Sequence, residues 1–183
     1  MPTKNKLIDF IYAAIFAAAT AAMGFIIIPL PFSPVPITGQ NLAIMLAASI
    51  LTMRQAALSV MTFLLLGAIG LPVFTGGTGG IGVLFGPRGG YLIGFLIGAI
   101  VTAKLKGTNN NTGRLAMANL IGGIFVVYIL GVAWLNFVTA MGLQRSLMVG
   151  ALPFIPGDLL KVGIATIIGT AINKRLQNAS VQS

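Results

Sequence analysis

Six apolar runs, joined by short polar or glycine- and proline-rich connections, fill most of the chain. They extend over 7–30, 40–53, 55–71, 89–101 (reaching toward 103), 113–141 and 156–172. A helix needs about 20 apolar residues, within a range of roughly 17–25, to cross the hydrocarbon core of a bilayer. The first, fifth and sixth runs meet that length. The second and fourth are short, so irregular backbone would complete their depth, and such backbone survives there only when protein or a wet cavity covers it. The pattern predicts an all-α integral membrane protein, with 1–183 forming a single membrane domain between short polar termini at about 1–6 and 176–183. At 57% hydrophobic and 7% charged residues, the chain has too little polar surface for an ordinary soluble globule.

The charged residues set an orientation. With six spans and a cytoplasmic amino terminus, the inner side carries Lys4, Lys6, Arg54, Lys104, Lys106, Arg114, Lys174 and Arg175. The outer side carries only Arg88 and Arg145, and Lys161 lies within the sixth run. Cations concentrate on cytoplasmic loops, so both termini are expected in the cytoplasm. Lys4 and Lys6 precede a run longer than a signal-peptide core, which reads as a retained helix. A net charge of +9 does not indicate nucleic acid as a partner, because the cations border apolar runs and form no stripe. Membrane lipid is the expected surrounding.

The residue types that are missing exclude most chemistry. There is no Cys and no His, and the only acids are Asp9 and Asp158. That leaves no thiolate, no imidazole base and no carboxylate cluster for a metal. No cofactor is expected. Transport, binding or a structural role remain, with a membrane enzyme far behind. No G-x-x-x-x-G-K-[ST] occurs, so the chain carries no phosphate loop of its own. Gly77-Thr-Gly-Gly-Ile-Gly82 fits G-x-G-x-x-G, but it follows a membrane helix and opens no βαβ unit, so it reads as a flexible lid.

The three outer connections differ from the inner turns. One holds Pro29, Pro31, Pro34 and Pro36, and another holds a glycine-rich stretch from Gly76 to Gly90. The third ends in Pro156-Gly-Asp158. Stiff and tightly folding loops over a helical bundle suit a binding site. Asp158 and Lys161 are three apart and share a helix face. They form either a ligand site for an amphoteric molecule or an ion pair that stabilises the helix start. Gln40 and Asn41 open the second run as amides that hold a neutral polar ligand or cap the helix. Arg88 and Tyr91 open the fourth as an anion clamp or as interfacial anchors. Ala13, Ala17 and Ala21 form one small-residue row, and Ala14, Ala18 and Ala22 the adjacent one. Such rows admit a close helix, either within the bundle or from a partner subunit.

Four ordered blocks resemble the BioY family, the biotin-specific S components of energy-coupling factor (ECF) transporters. They are Pro34-Val-Pro-Ile-Thr-Gly-Gln-Asn41, Leu66-Gly-Ala-Ile-Gly-Leu-Pro-Val-Phe74, Gly86-Pro-Arg-Gly-Gly-Tyr-Leu-Ile-Gly-Phe95 and Pro156-Gly-Asp-Leu-Leu-Lys161. The resemblance extends over about 7–175. It implies a compact six-helix bundle in a prokaryotic plasma membrane that captures biotin at its outer face. It also implies a transmembrane coupling subunit and two ATPase subunits as partners, with the alanine rows contacting the coupling subunit. Asp158 and Lys161 match the family's binding motif by position. Charge complementarity assigns Asp158 to the urea N–H groups and Lys161 to the carboxylate. Gln40, Asn41, Arg88 and Tyr91 stand in family-typical blocks, with roles inferred from their chemistry alone. The competing readings are a solitary biotin facilitator that works without ATPases and a non-transporting structural subunit.

Overall fold

The computed structural model describes residues 2–107 and 111–181, and side chains from 6 to 178 within that span. The Asn110-Asn111-Thr112 sequence, a glycosylation match that an inner turn would leave unused, begins outside the described residues, as does the side chain of Lys4. The chain is mostly helical. Helix α1 covers Pro2–Met23, α2 Gln40–Ile50, α3 Met53–Ala68, α4 Ile81–Phe85 and α5 Gly89–Leu105. Next comes one long rod made of α6 (Thr112–Leu120), a π-helical stretch (Ile121–Val126) and α7 (Val127–Thr139). Helix α8 (Leu143–Gly150), a 3-10 turn (Leu152–Phe154) and α9 (Ile155–Val181) complete it.

Among the described residues, three stretches are long and apolar enough to cross a membrane: Lys6–Met23, Thr112–Thr139 and Leu143–Asn178. Helices α2, α3 and α5 are shorter and apolar. Large apolar side chains face outward along the bundle, with Ile69 77% and Phe137 79% exposed. A water-soluble surface would not carry them so densely, whereas lipid solvates them.

Local chemistry explains the element ends. Helix α3 starts on a capping box, where Gln55 N–H donates to Thr52 Oγ1 and Thr52 N–H donates back to Gln55 Oε1. The same Gln55 amide donates to Asp9 Oδ1 at 2.7 Å, joining α3 to α1. Lys106 donates to the carbonyls of Ser49 and Leu51, and Asn173 also donates to Ser49, so a cation closes the carboxyl end of α2.

The expected first run ends early. The apolar run extends to Leu30, but α1 stops at Met23, where Gly24 N–H turns back to Ala21 O. The remaining apolar residues enter a two-stranded ladder, β1 (Ile27–Ile28) antiparallel to β2 (Ile37–Thr38), which closes the proline loop. Apolarity alone does not distinguish a short buried strand from a helix. The sixth run begins at Ile155 and continues past Ile172 to Val181.

Glycines let α5 and the long rod meet backbone to backbone. A Cβ on Gly98 would lie 2.3 Å from Gly122 O, and one on Gly90 would lie 2.2 Å from Trp134 Cβ. Small residues permit such close approach where no water drives helices together. The packing brings the starts of α2, α5 and α9 to one end of the bundle, beneath the loops 24–39, 69–88 and 140–154.

Candidate binding site

The cavity at that loop end holds about 610 Å³ of atom-free space, part of it open to solvent. Its wall is mainly apolar: Val35, Pro36, Phe74, Val83, Leu92, Phe95, Val127 and Phe154. A few polar groups interrupt it, which is the usual composition of a small-molecule site. They come from five segments: Thr38 and Asn41 around the start of α2, Thr75 and Arg88 from the glycine-rich connection, Tyr91 from α5, Tyr128 from α7, and Asp158 and Lys161 from α9.

Asp158 and Lys161 form an ion pair at 2.8 Å, one helical turn apart. Lys161 also donates to Thr38 O at 2.8 Å, and Tyr128 OH donates to Asp158 Oδ2 at 2.6 Å. The pair therefore links α9 to the β2–α2 junction and to α7. Its net charge is zero, and it still offers acceptor lone pairs on Asp158 and one further N–H on Lys161. Its burial is deep, with side-chain exposures of 6% for Asp158 and 16% for Lys161.

Arg88 is different. The ion pairs among the described residues are Arg54–Asp9 and Lys161–Asp158, so no carboxylate faces Arg88. Its bond to Thr75 O is long, at 3.4 Å. The cavity thus carries one uncompensated positive charge, suited to a single anionic group.

Asn41 and Tyr91 also line the cavity. Tyr91 presents its ring, because its OH is spent on Gly150 O at 2.7 Å. Gln40 lies behind the wall, fully buried and outside the lining set. Its Nε2 donates to Val73 O at 3.0 Å, and its Oε1 accepts from Thr75 Oγ1 at 2.7 Å. Both ends of this amide therefore fasten the glycine-rich connection to α2. Gly76 N–H adds a bond to Gly24 O at 3.0 Å between the two loops.

The alanine rows separate. Ala13 and Ala17 are 2% and 3% exposed and pack inside the bundle, with Ala21 half-buried. Ala14, Ala18 and Ala22 are exposed. Of the two uses open to such rows, Ala13 and Ala17 take the packing within the bundle, where α2 and α3 cover that face.

Tyr128 and Thr75 also line the cavity, and sequence reasoning does not single them out as candidate site residues. Tyr128 lies 30 positions from Asp158 and just after the π-helical stretch, so no local spacing reveals the pair.

The model of the BioY family matches residues 1–178. The chain is 40% identical to the biotin transporter BioY of Rhizobium etli, covering 90% of this chain and 92% of that protein. It is 39% identical to the biotin transporter BioY of Thermotoga maritima, over 91% and 96% of the two chains. The crystal structure at 2.1 Å of the S-component for biotin from an ECF-type ABC transporter superposes with a TM-score of 0.87, at 37% identity and 95% coverage of both chains.

Proposed function

Because the chain belongs to the BioY family, we propose that it captures biotin in the loop-end cavity as the membrane-embedded S component of an ECF-type importer. Biotin combines a carboxylate, a cyclic urea and an apolar thioether ring. The cavity answers with one unpaired cation, one neutral donor–acceptor pair and an apolar wall. The observation that carries this reading is the charge census: Asp158 and Lys161 neutralise each other, and Arg88 has no acid.

That census supports a change of assignment. Under the family resemblance, charge complementarity pairs the carboxylate with Lys161. Lys161 already spends two of its three N–H donors on Asp158 and Thr38 O. Arg88 is the better carboxylate partner, and the Asp158–Lys161 pair the better partner for the urea. Asp158 accepts a urea N–H, and the remaining Lys161 hydrogen donates to the urea carbonyl. Phe74, Phe95 and Phe154 contact the apolar ring, and Tyr91 contributes its face. Gln40 acts indirectly, by holding Thr75 and the loop above the ligand.

The remaining elements complete the reading. Six segments span the plasma membrane of a prokaryote, α1, α2, α3, α5, the α6–α7 rod and α9, as one domain over 1–183. Both termini are cytoplasmic, consistent with the cations at the end opposite the cavity. The exposed Ala14, Ala18 and Ala22 row meets a transmembrane coupling subunit, and two ATPases supply the energy that a chain without a phosphate loop lacks.

A titration of biotin and biotin methyl ester onto wild-type and Arg88→Gln protein tests the assignment. Arg88→Gln weakens biotin by roughly 10- to 100-fold, as expected for a charge-assisted hydrogen bond, and leaves the ester nearly unchanged. Equal losses for both ligands would refute the carboxylate contact.

A further inference from the structure

Three buried side-chain polar atoms lack a hydrogen-bond partner among the described residues: Asn41 Oδ1, Ser59 Oγ and Thr170 Oγ1. Two are hydroxyl oxygens, which adapt by rotation. Only Asn41 belongs to the wall of the loop-end cavity. Its residue is 4% exposed, so water does not solvate the amide freely.

The amide is fixed in one sense. Asn41 Nδ2 donates to Gly123 O at 3.2 Å, within the π-helical stretch. A carbonyl only accepts, so a flipped amide would place oxygen against oxygen. The π turn departs from the regular i to i−4 ladder, and Gly123 is the position where α2 passes closely. A Cβ there would lie 2.5 Å from Met45 Cε. The nitrogen therefore stays on the rod, and Oδ1 stays a fixed acceptor on a residue that lines the cavity.

We propose that Asn41 is a specificity-determining acceptor whose Oδ1 takes one N–H of the ligand's cyclic urea. This rests on the biotin reading and deepens it. A cyclic urea presents two N–H donors and one carbonyl. Asp158 accepts one N–H, Lys161 donates to the carbonyl, and Asn41 accepts the second N–H. Lys161 already reaches Thr38, three positions before Asn41, so the groups converge at the start of α2. A buried acceptor left without a donor carries an unrecovered desolvation cost. The ligand removes that cost only if it brings an N–H, so the site rejects isosteres that lack one.

The test uses the full-length protein in detergent, biotin, and the two cyclic carbamates in which one or the other urea N–H is replaced by oxygen. Each ligand is titrated onto wild-type, Asn41→Ala and Asn41→Ser protein. One carbamate binds the wild type roughly 10- to 100-fold more weakly than biotin and loses that penalty in both variants, while the other carbamate keeps its own penalty. Penalties that persist in the variants for both carbamates overturn the inference, as do carbamates that match biotin on the wild type. The wild-type comparison stands even if a variant fails to fold. Absence of biotin binding by folded wild type overturns the functional reading and this inference with it.

Discussion

Removing Lys161 while leaving Asp158 in place tests how the site is held together. At 2.8 Å the pair attracts by about 6 kcal/mol at an effective dielectric of 20. Most of that offsets the cost of burying both charges, so the useful quantity is the penalty for breaking the pair. Stranding one buried charge costs about 3–5 kcal/mol. Asp158 keeps the Tyr128 hydrogen bond and Lys161 is not wholly buried, which places Lys161→Met near about 3 kcal/mol. For a chain of this length, each kcal/mol moves the melting temperature by roughly 2–4 °C, so the melt falls by about 6–12 °C. The assay is thermal unfolding of ligand-free protein in detergent, followed by circular dichroism. The double variant Asp158→Asn/Lys161→Met removes the stranded charge and recovers at least half of the loss. A single variant that melts within about 2 °C of wild type would refute the claim that this pair is a buried, coupled unit. So would a double variant whose loss is the sum of the two singles.

The two alanine rows give opposite expectations. Ala18→Trp, on the exposed row, leaves biotin binding intact and abolishes co-purification with a coupling subunit, whereas Ala17→Trp overpacks the buried row and lowers the melting temperature. Gln40→Leu cuts both bonds between α2 and the glycine-rich connection. It speeds hydrogen exchange over 73–78 and weakens biotin by roughly 10-fold. Unchanged exchange there would mean that the amide does not hold the loop.

The sequence shows those parts of the candidate site that lie close together along the chain. Asp158 and Lys161 were visible because three residues apart on a helix means one face. Arg88 and Asn41 were visible as polar residues at the start of apolar runs. Gln40 and Asn41 are neighbours of similar chemistry, and only tertiary placement separates the loop fastener from the cavity-lining residue. Tyr128 was hidden for a different reason: the π-helical stretch shifts the helical register between Asn119 and Tyr128, so face arithmetic on a regular helix misplaces it. The alanine rows are equally periodic, and packing against α2 and α3 decides which one is buried. The hairpin at 27–38 was hidden inside an apolar run because hydropathy carries no strand register. The amphipathic α8 is too short to register as a segment, yet it supplies the Gly150 carbonyl that orients Tyr91.

The most direct test of the central claim is a calorimetric titration of biotin onto ligand-free, folded protein in detergent, with emission of the only tryptophan, Trp134, as a second readout. Saturation at one biotin per chain is expected, with Asp158→Asn weakening the binding. A flat titration with protein shown to be folded and ligand-free would contradict biotin capture by this cavity.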